Sequence, residues 1–364
     1  MLLQIMFYYE RNGVATMKKM MAMLLALVLS MSVLAGCQSN PQSKGELSIF
    51  TWIDYVPAEV MQSFEEETGI RVIPSYFSTN EEMISKLRAQ KNTYDLIVCS
   101  DAFIDLMVRE GGLVQPIDTG KLKNHGNISP EYQSKYFDPE NQYTIPHAAY
   151  AALLAYDTAK SPVAIKGYAD LWNPALKNSV VLLDDARGVI GFTLQMQGES
   201  VNETDAGKLN TAKEKLMELW PNVRLLDADR PHEAFLRGDA VAGYMFGSQI
   251  VAAMAEISTL TYVYPEEGLT YGMDCYVLAD GAPNKGNAHL FLDYILRGEV
   301  SAEISATINY INCNSAATAF LPESFLNDPC VNIPMEYIES AQMYKDVGNA
   351  YAAYYDIWTE FKGQ

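Results

Sequence analysis

Histidine is scarce in this chain of 364 residues: only His125, His147, His232 and His289 occur, and they are scattered. A His-based metal site is therefore not expected, and no Ser/His/Asp set gathers at the strand ends read below. The five cysteines show neither a CxxC pair nor a Cys/His spacing that would suit zinc. Basic residues are also few, 26 Lys and Arg against 45 Asp and Glu, for a formal net charge of −19. That balance excludes nucleic acid or an anionic membrane surface as partner of the folded part, since either would want excess Lys and Arg. It suits a cationic ligand, and it equally suits an exported protein kept soluble by its charge. No G-x-S-x-G, HExxH or P-loop is present. The expectation is a protein that is not an enzyme and needs no cofactor or metal. A lipid-anchored hydrolase using Asp184 or Asp185 with Asp274 as paired carboxylates is the competing class.

The apolar run Met20 to Val33 is too short for a comfortable membrane span. It follows Met17-Lys18-Lys19 and leads into Leu34-Ala35-Gly36-Cys37, which together read as a secretory signal peptide. LAGC resembles the bacterial lipobox, in which the Cys becomes the lipidated first residue; an ordinary signal peptide with an incidental Cys is the alternative. Residues 1–16 fit neither signal nor fold, so translation is expected to start at Met17. Residues 1–36 are thus upstream sequence and signal, and residues 37–45 a short tether from a lipid anchor at Cys37. Localisation is expected to be extracytoplasmic, with the membrane touched only through the lipid. Export permits disulfides among Cys99, Cys275, Cys313 and Cys330, but nothing in the sequence pairs them, and isolated buried thiols fit as well.

Beyond the tether, strand and helix patterns alternate. Glu46–Thr51 reads as a strand, Ala58–Thr68 as a helix closed by Gly69 in the left-handed region, and Ile70–Ser75 as a strand. Asn80 reads as the cap of a helix running through Gln90. The apolar Leu96–Cys99 fits a buried parallel strand, and Phe103–Glu110 a helix. A second run of the same kind covers Val180 to Glu256. The aromatic stretch Tyr143–Tyr156 and the later Met273–Ala279 read as chain crossings between two α/β lobes with mainly parallel sheets, a clamshell. The expected lobes are residues 46–148 with 275–312, and 149–274 with 313–364.

Ligands in open α/β sheets bind beyond the carboxyl ends of the strands. Acids and aromatics recur at those ends: Thr51, Trp52, Asp54 and Tyr55 after the first strand, Ser100 and Asp101 after the third, and Asp184, Asp185 and Arg187 in the second lobe. Phe246 closes a later strand, and Tyr271 and Asp274 open the return crossing. Carboxylates bind ammonium groups by charge-assisted hydrogen bonds, and aromatic faces attract cations. A cleft with both suits an aliphatic polyamine. Each residue also has a plainer role: Asp101 and Asp184 as helix caps, Trp52 as interlobe packing, Arg187 as a neutralising partner for Asp184 or Asp185.

TWIDYVP, EEETGIRVI, DLIVCSD, LLDDAR, YGMDC and KDVG, taken in order over residues 47–362, resemble the spermidine/putrescine-binding proteins, the extracytoplasmic components of polyamine ABC transporters. The resemblance implies a type II periplasmic-binding-protein clamshell, monomeric, that delivers putrescine or spermidine to permease subunits. It implies ligand stacking on Trp52 with Thr51 and Tyr55 beside it, a selective acid at Asp54, and ammonium-binding acids at Asp185 and, principally, Asp274. Ser100, Asp101, Phe246, Tyr271 and Tyr310 complete the implied set. Gly188, Gly272, Ala102 and Tyr344 depart from the pattern. The Gly188 and Gly272 exchanges imply a weaker grip on a third amine and a pocket enlarged or reshaped at one end. A diamine or another small cation, bound for transport or for sensing, is the alternative ligand.

Overall fold

The computed structural model describes residues 45–364. The signal sequence, Cys37 and most of the tether lie outside the described residues.

The first half of the fold is built from β1 (Glu46–Thr51), α1 (Ala58–Thr68), β2 (Arg71–Tyr76), α2 (Asn80–Ala89), β3 (Leu96–Ser100) and α3 (Asp101–Glu110). A fourteen-residue strand, β4 (Thr144–Asp157), leads into β5 (Val180–Leu182), α4 (Ala186–Met196), α5 (Ala206–Met217), β6 (Val223–Leu226), β7 (Ala242–Phe246) and α6 (Gly247–Met254). Strand β8 (Thr270–Ala279) returns to the first half, and α7 (Lys285–Ile295), α8 (Gly298–Ile308) and α9 (Tyr351–Lys362) follow. Helix α1 keeps the expected bounds because its apolar stripe (Val60, Phe64) is buried, and because Gly69, at φ 73°, turns the chain and donates its N–H to the Glu65 carbonyl.

The sheet is continuous, in the order β2-β1-β3-β8-β4-β7-β5-β6. Strands β2, β1 and β3 run parallel, as do β6, β5 and β7. The two crossings lie between these sets, antiparallel to each other and to their neighbours. The sheet is therefore mixed, not a pair of mainly parallel sheets: each crossing is a strand that hydrogen-bonds on both sides, and so joins the lobes through the sheet itself.

Three cores follow from the two-residue alternation of the strands. Leu47, Ile49, Leu96 and Tyr276 pack under α1 and α7. Leu154, Val180, Leu182 and Tyr244 pack with Phe192, Leu216 and Trp358 of the second-half helices. Phe50, Ile97, Cys99, Leu153, Met245, Met273 and Cys275 form a third core that runs through both halves of the sheet. Fully buried side chains of this size each contribute about 1.5–3 kcal/mol of transfer free energy.

Candidate functional site

The carboxyl ends of β1, β3, β5 and β7 open on a cavity of about 810 Å³. Trp52, Ser100, Asp101, Asp185 and Phe246 line it, as the strand ends predict, and so do Asp184 and Arg187. Tyr150, Glu81, Tyr344 and Tyr351, which no strand-end argument reaches, also line the wall.

Two acids lie at the inner end. Asp101, the first residue of α3, lines the cavity and is 2% exposed, and Asp274 of β8, paired with the lining residue Ser100 across the ladder, is 5% exposed behind the wall. Neither forms a salt bridge with a Lys or Arg among the described residues. Asp274 Oδ2 accepts a 2.6 Å hydrogen bond from the Tyr55 hydroxyl. Its Oδ1 is buried without a well-formed hydrogen bond, although the Ser100 hydroxyl lies close enough to act on the carboxyl. Burial pushes Asp274 up to about 6, against the pull of Tyr55 and Ser100. Asp101 accepts from its neighbour Ala102 N at 2.8 Å and from Met273 N at 3.4 Å. Burial, with the Asp274 charge adding to it, holds Asp101 well above the ordinary carboxylate range.

Aromatic rings surround this pair. The centroids of Trp52 and Tyr55 lie 5.3 Å apart, Tyr55 and Tyr310 5.7 Å, Tyr310 and Tyr150 5.8 Å, and Tyr150 and Phe246 5.5 Å. Burial and the Asp274 charge push the phenols of Tyr55, Tyr150 and Tyr310 upward, so all three stay protonated. Buried anions ringed by aromatic groups form a receptor for a cation, since an ammonium ion would pair the charge and lie against the rings.

On the second lobe, Asp185 caps α4 and accepts from Arg187 N at 3.0 Å. Burial raises its pKa, against the pull of backbone N–H groups, and the charge of Glu81 across the cavity adds to the rise. The helix cap expected at Asp184 is thus supplied by Asp185. Asp184 instead takes Lys362 Nζ at 2.7 Å and Trp358 Nε1 at 3.1 Å, both from α9. Arg187 forms no ion pair with either acid. Its guanidinium lies between the Tyr344 and Tyr354 rings and donates to Asn202 Oδ1 at 2.8 Å. Likewise Thr79, not Asn80, caps α2 by accepting from Glu82 N, and Asn80 turns to Ser100 Oγ at 3.2 Å.

Six sequence-predicted residues are not on the cavity wall: Thr51, Asp54, Tyr55, Tyr271, Asp274 and Tyr310. Of these, Tyr55, Asp274 and Tyr310 form one cluster, joined to the wall through Ser100 and Tyr150. Asp54 is exposed at φ 58°, in the turn that carries the chain beyond β1. Thr51 is buried with its Oγ1 unpartnered. Tyr271 is 2% exposed in the third core, because alternation along β8 puts Gly272 and Asp274 on one face and Tyr271 on the other. Nor does Gly272 open space. A Cβ there would stand 2.4 Å from Cζ of Tyr150, so the Tyr150 ring occupies the ground that a side chain at 272 would take. The register pairing Gly272 with Tyr150 across β8 and β4 is a contact the sequence pattern did not disclose.

The chain is 35% identical over 339 residues to the spermidine/putrescine-binding periplasmic protein of Salmonella typhimurium, covering 93% of this chain and 96% of that one. It is 28% identical over 339 residues to the putrescine-binding periplasmic protein of Escherichia coli, covering 88% and 90%. Among solved structures, the spermidine/putrescine ABC transporter substrate-binding protein PotD of Streptococcus pneumoniae superposes with a TM-score of 0.78 at 29% identity, covering 88% of this chain and 99% of that one. This establishes the two-lobed clamshell of periplasmic binding proteins for the described residues. The profile of one family matches residues 59–331, and with these relatives it shows that the chain belongs to the bacterial extracellular solute-binding proteins.

Proposed function

We propose that this protein captures polyamines, putrescine or spermidine, outside the cytoplasm and delivers them to the permease subunits of an ABC transporter. The observation that carries the reading is the Asp101–Asp274 pair, two buried carboxylates with no Lys or Arg salt bridge among the described residues; Asp101, Trp52 and Tyr150 line the cavity, and Asp274, Tyr55 and Tyr310 stand directly behind them. Asp185 supplies a further acid from the second lobe, with Ser100 and Phe246 on the wall. The names of the relatives support the same ligand class. The residues carry no nucleophile–base unit at this site, which supports binding without turnover.

We place the lobe boundaries at residues 148/149 and 274/275, so that 46–148 with 275–312 and 149–274 with 313–364 move as units; the register irregularity between Asp274 and Cys275 supports a bend there. Lipid anchoring at Cys37 and a monomeric state complete the proposal. Among the described residues, no helix is long and apolar enough to cross a membrane.

Isothermal titration of purified protein with putrescine and spermidine tests the reading. One-to-one binding with unchanged amine is expected, and no heat with any di- or polyamine refutes it.

A further inference from the structure

Gly272 and Tyr150 face each other across the β8–β4 ladder. The Gly272 backbone lies so close to the Tyr150 ring that a Cβ would meet Cζ at 2.4 Å and the hydroxyl oxygen at 2.6 Å. Tyr150 is therefore held down over the inner end of the cavity. Its ring is edge-on to Phe246 and tilted against Tyr310. The Ser100 hydroxyl and the charges of Asp101 and Asp274 act on its phenol. The acceptors left at this end are few and fixed. Asp274 Oδ1 is buried with no well-formed hydrogen bond, the Ser100 hydroxyl standing nearby, and Asp101 Oδ2 has one long bond, from Met273 N. A primary ammonium has three N–H donors and a small cross-section, so it matches these acceptors. Each alkyl group on nitrogen removes a donor and adds bulk on the side that the Tyr150 ring closes.

Resting on the polyamine reading, we infer that Tyr150 is a specificity-determining residue, seated by Gly272, that admits an unsubstituted primary ammonium head and rejects N-alkylated amines. Rejection comes from a steric wall and a lost donor together.

The test compares putrescine with N,N,N′,N′-tetramethylputrescine, alkylated at both ends so that neither can present a primary ammonium, by calorimetry, on the parent protein and on Tyr150→Ala, Gly272→Ala and the double variant. The parent should prefer putrescine by at least about tenfold. Tyr150→Ala should bring the two ligands to within about threefold, chiefly by improving the tetramethylated amine. Gly272→Ala, with its Cβ against the ring, should lower the melting temperature of the empty protein, and adding Tyr150→Ala should recover most of that loss. Putrescine bound by the parent with an unchanged preference in Tyr150→Ala overturns this inference and leaves the polyamine reading standing. A parent that binds no amine overturns both. Absence of rescue in the empty double variant overturns the seating by Gly272, whatever the ligand.

Discussion

Replacing Asp274 by Asn should move affinity and stability in opposite directions. In the empty protein, burial raises this carboxyl from 3.8 to about 6. Each unit corresponds to about 1.4 kcal/mol, so keeping the group ionised at neutral pH costs the fold about 3 kcal/mol. An Asn side chain abolishes that charge, and its amide oxygen can still accept the Tyr55 hydroxyl. Allowing about 1 kcal/mol for the poorer hydrogen bond to a neutral acceptor, the empty variant should be more stable than the parent by about 2 kcal/mol. The ligand loses a charge-assisted hydrogen bond of about 1.5–3 kcal/mol, which lowers amine affinity by about tenfold to about a hundredfold. Denaturant unfolding of the empty proteins, followed by calorimetric titration with putrescine, reads both quantities on one preparation. A variant that is less stable when empty, yet binds putrescine as tightly as the parent, would show that Asp274 is an ordinary structural acid and that the cation site lies elsewhere.

The pH dependence of binding follows from the same group: its proton must leave before the carboxylate can pair with an ammonium ion. Affinity for putrescine, measured by calorimetry, should hold above pH 6 and fall by about tenfold per unit below it. The stability of the empty protein should respond less, because two effects oppose. Raised acids favour the fold at low pH and lose that contribution as pH rises through about 6, whereas His147, pushed down to about 4 by burial, weakens it as pH falls below 6.5. Asp184→Ala removes the Lys362 and Trp358 contacts and should lower stability by about 1 kcal/mol in chemical denaturation, more than it lowers amine affinity. Cys37→Ser should shift the protein from the membrane to the soluble fraction on cell fractionation; retention on the membrane would rule out the lipobox as the anchor.

Much of the fold was legible in the sequence because its signals are local. The apolar stripe of α1 and its closing Gly69, the apolar run of β3 and the acids after β3 and β5 all sit within a few residues of the structure they dictate. Site positions that depended on such ends, Trp52, Ser100, Asp101 and Asp185, line the cavity. Those that depended on contacts across the sheet did not read correctly. Tyr271, at the opening of the return crossing, was expected in the ligand set, but one-residue alternation sends it into the opposite core. Tyr150 is far from Gly272 in sequence and shows no signal until the strands are paired. Which of two adjacent acids caps α4 depended on α9, whose Lys362 and Trp358 draw Asp184 away. The mixed sheet was missed for a similar reason, since an extended crossing and a paired strand share one composition.

Strands β4 and β8 are ladder partners from Thr144 and Val277 to Ala152 and Thr270, so Tyr150, Gly272 and Asp274 belong to the spine on which both lobes are hung. On the lobe boundaries proposed above the hinge lies within this spine, at 148/149 and 274/275, so residues beside it should be displaced less than α2 and α4 at its flanks. The inner grip on a ligand therefore stays nearly stationary while the outer walls swing. A bound chain would be freed from its far end first and would leave the Asp274 end last, like a rope cast off before its cleat is cleared. Hydrogen exchange should show ligand-dependent protection concentrated in α2 and the start of α4, with the amides of residues 272–276 slow in both states; fast exchange there in the empty protein would show that the β4–β8 ladder itself comes apart as the lobes separate.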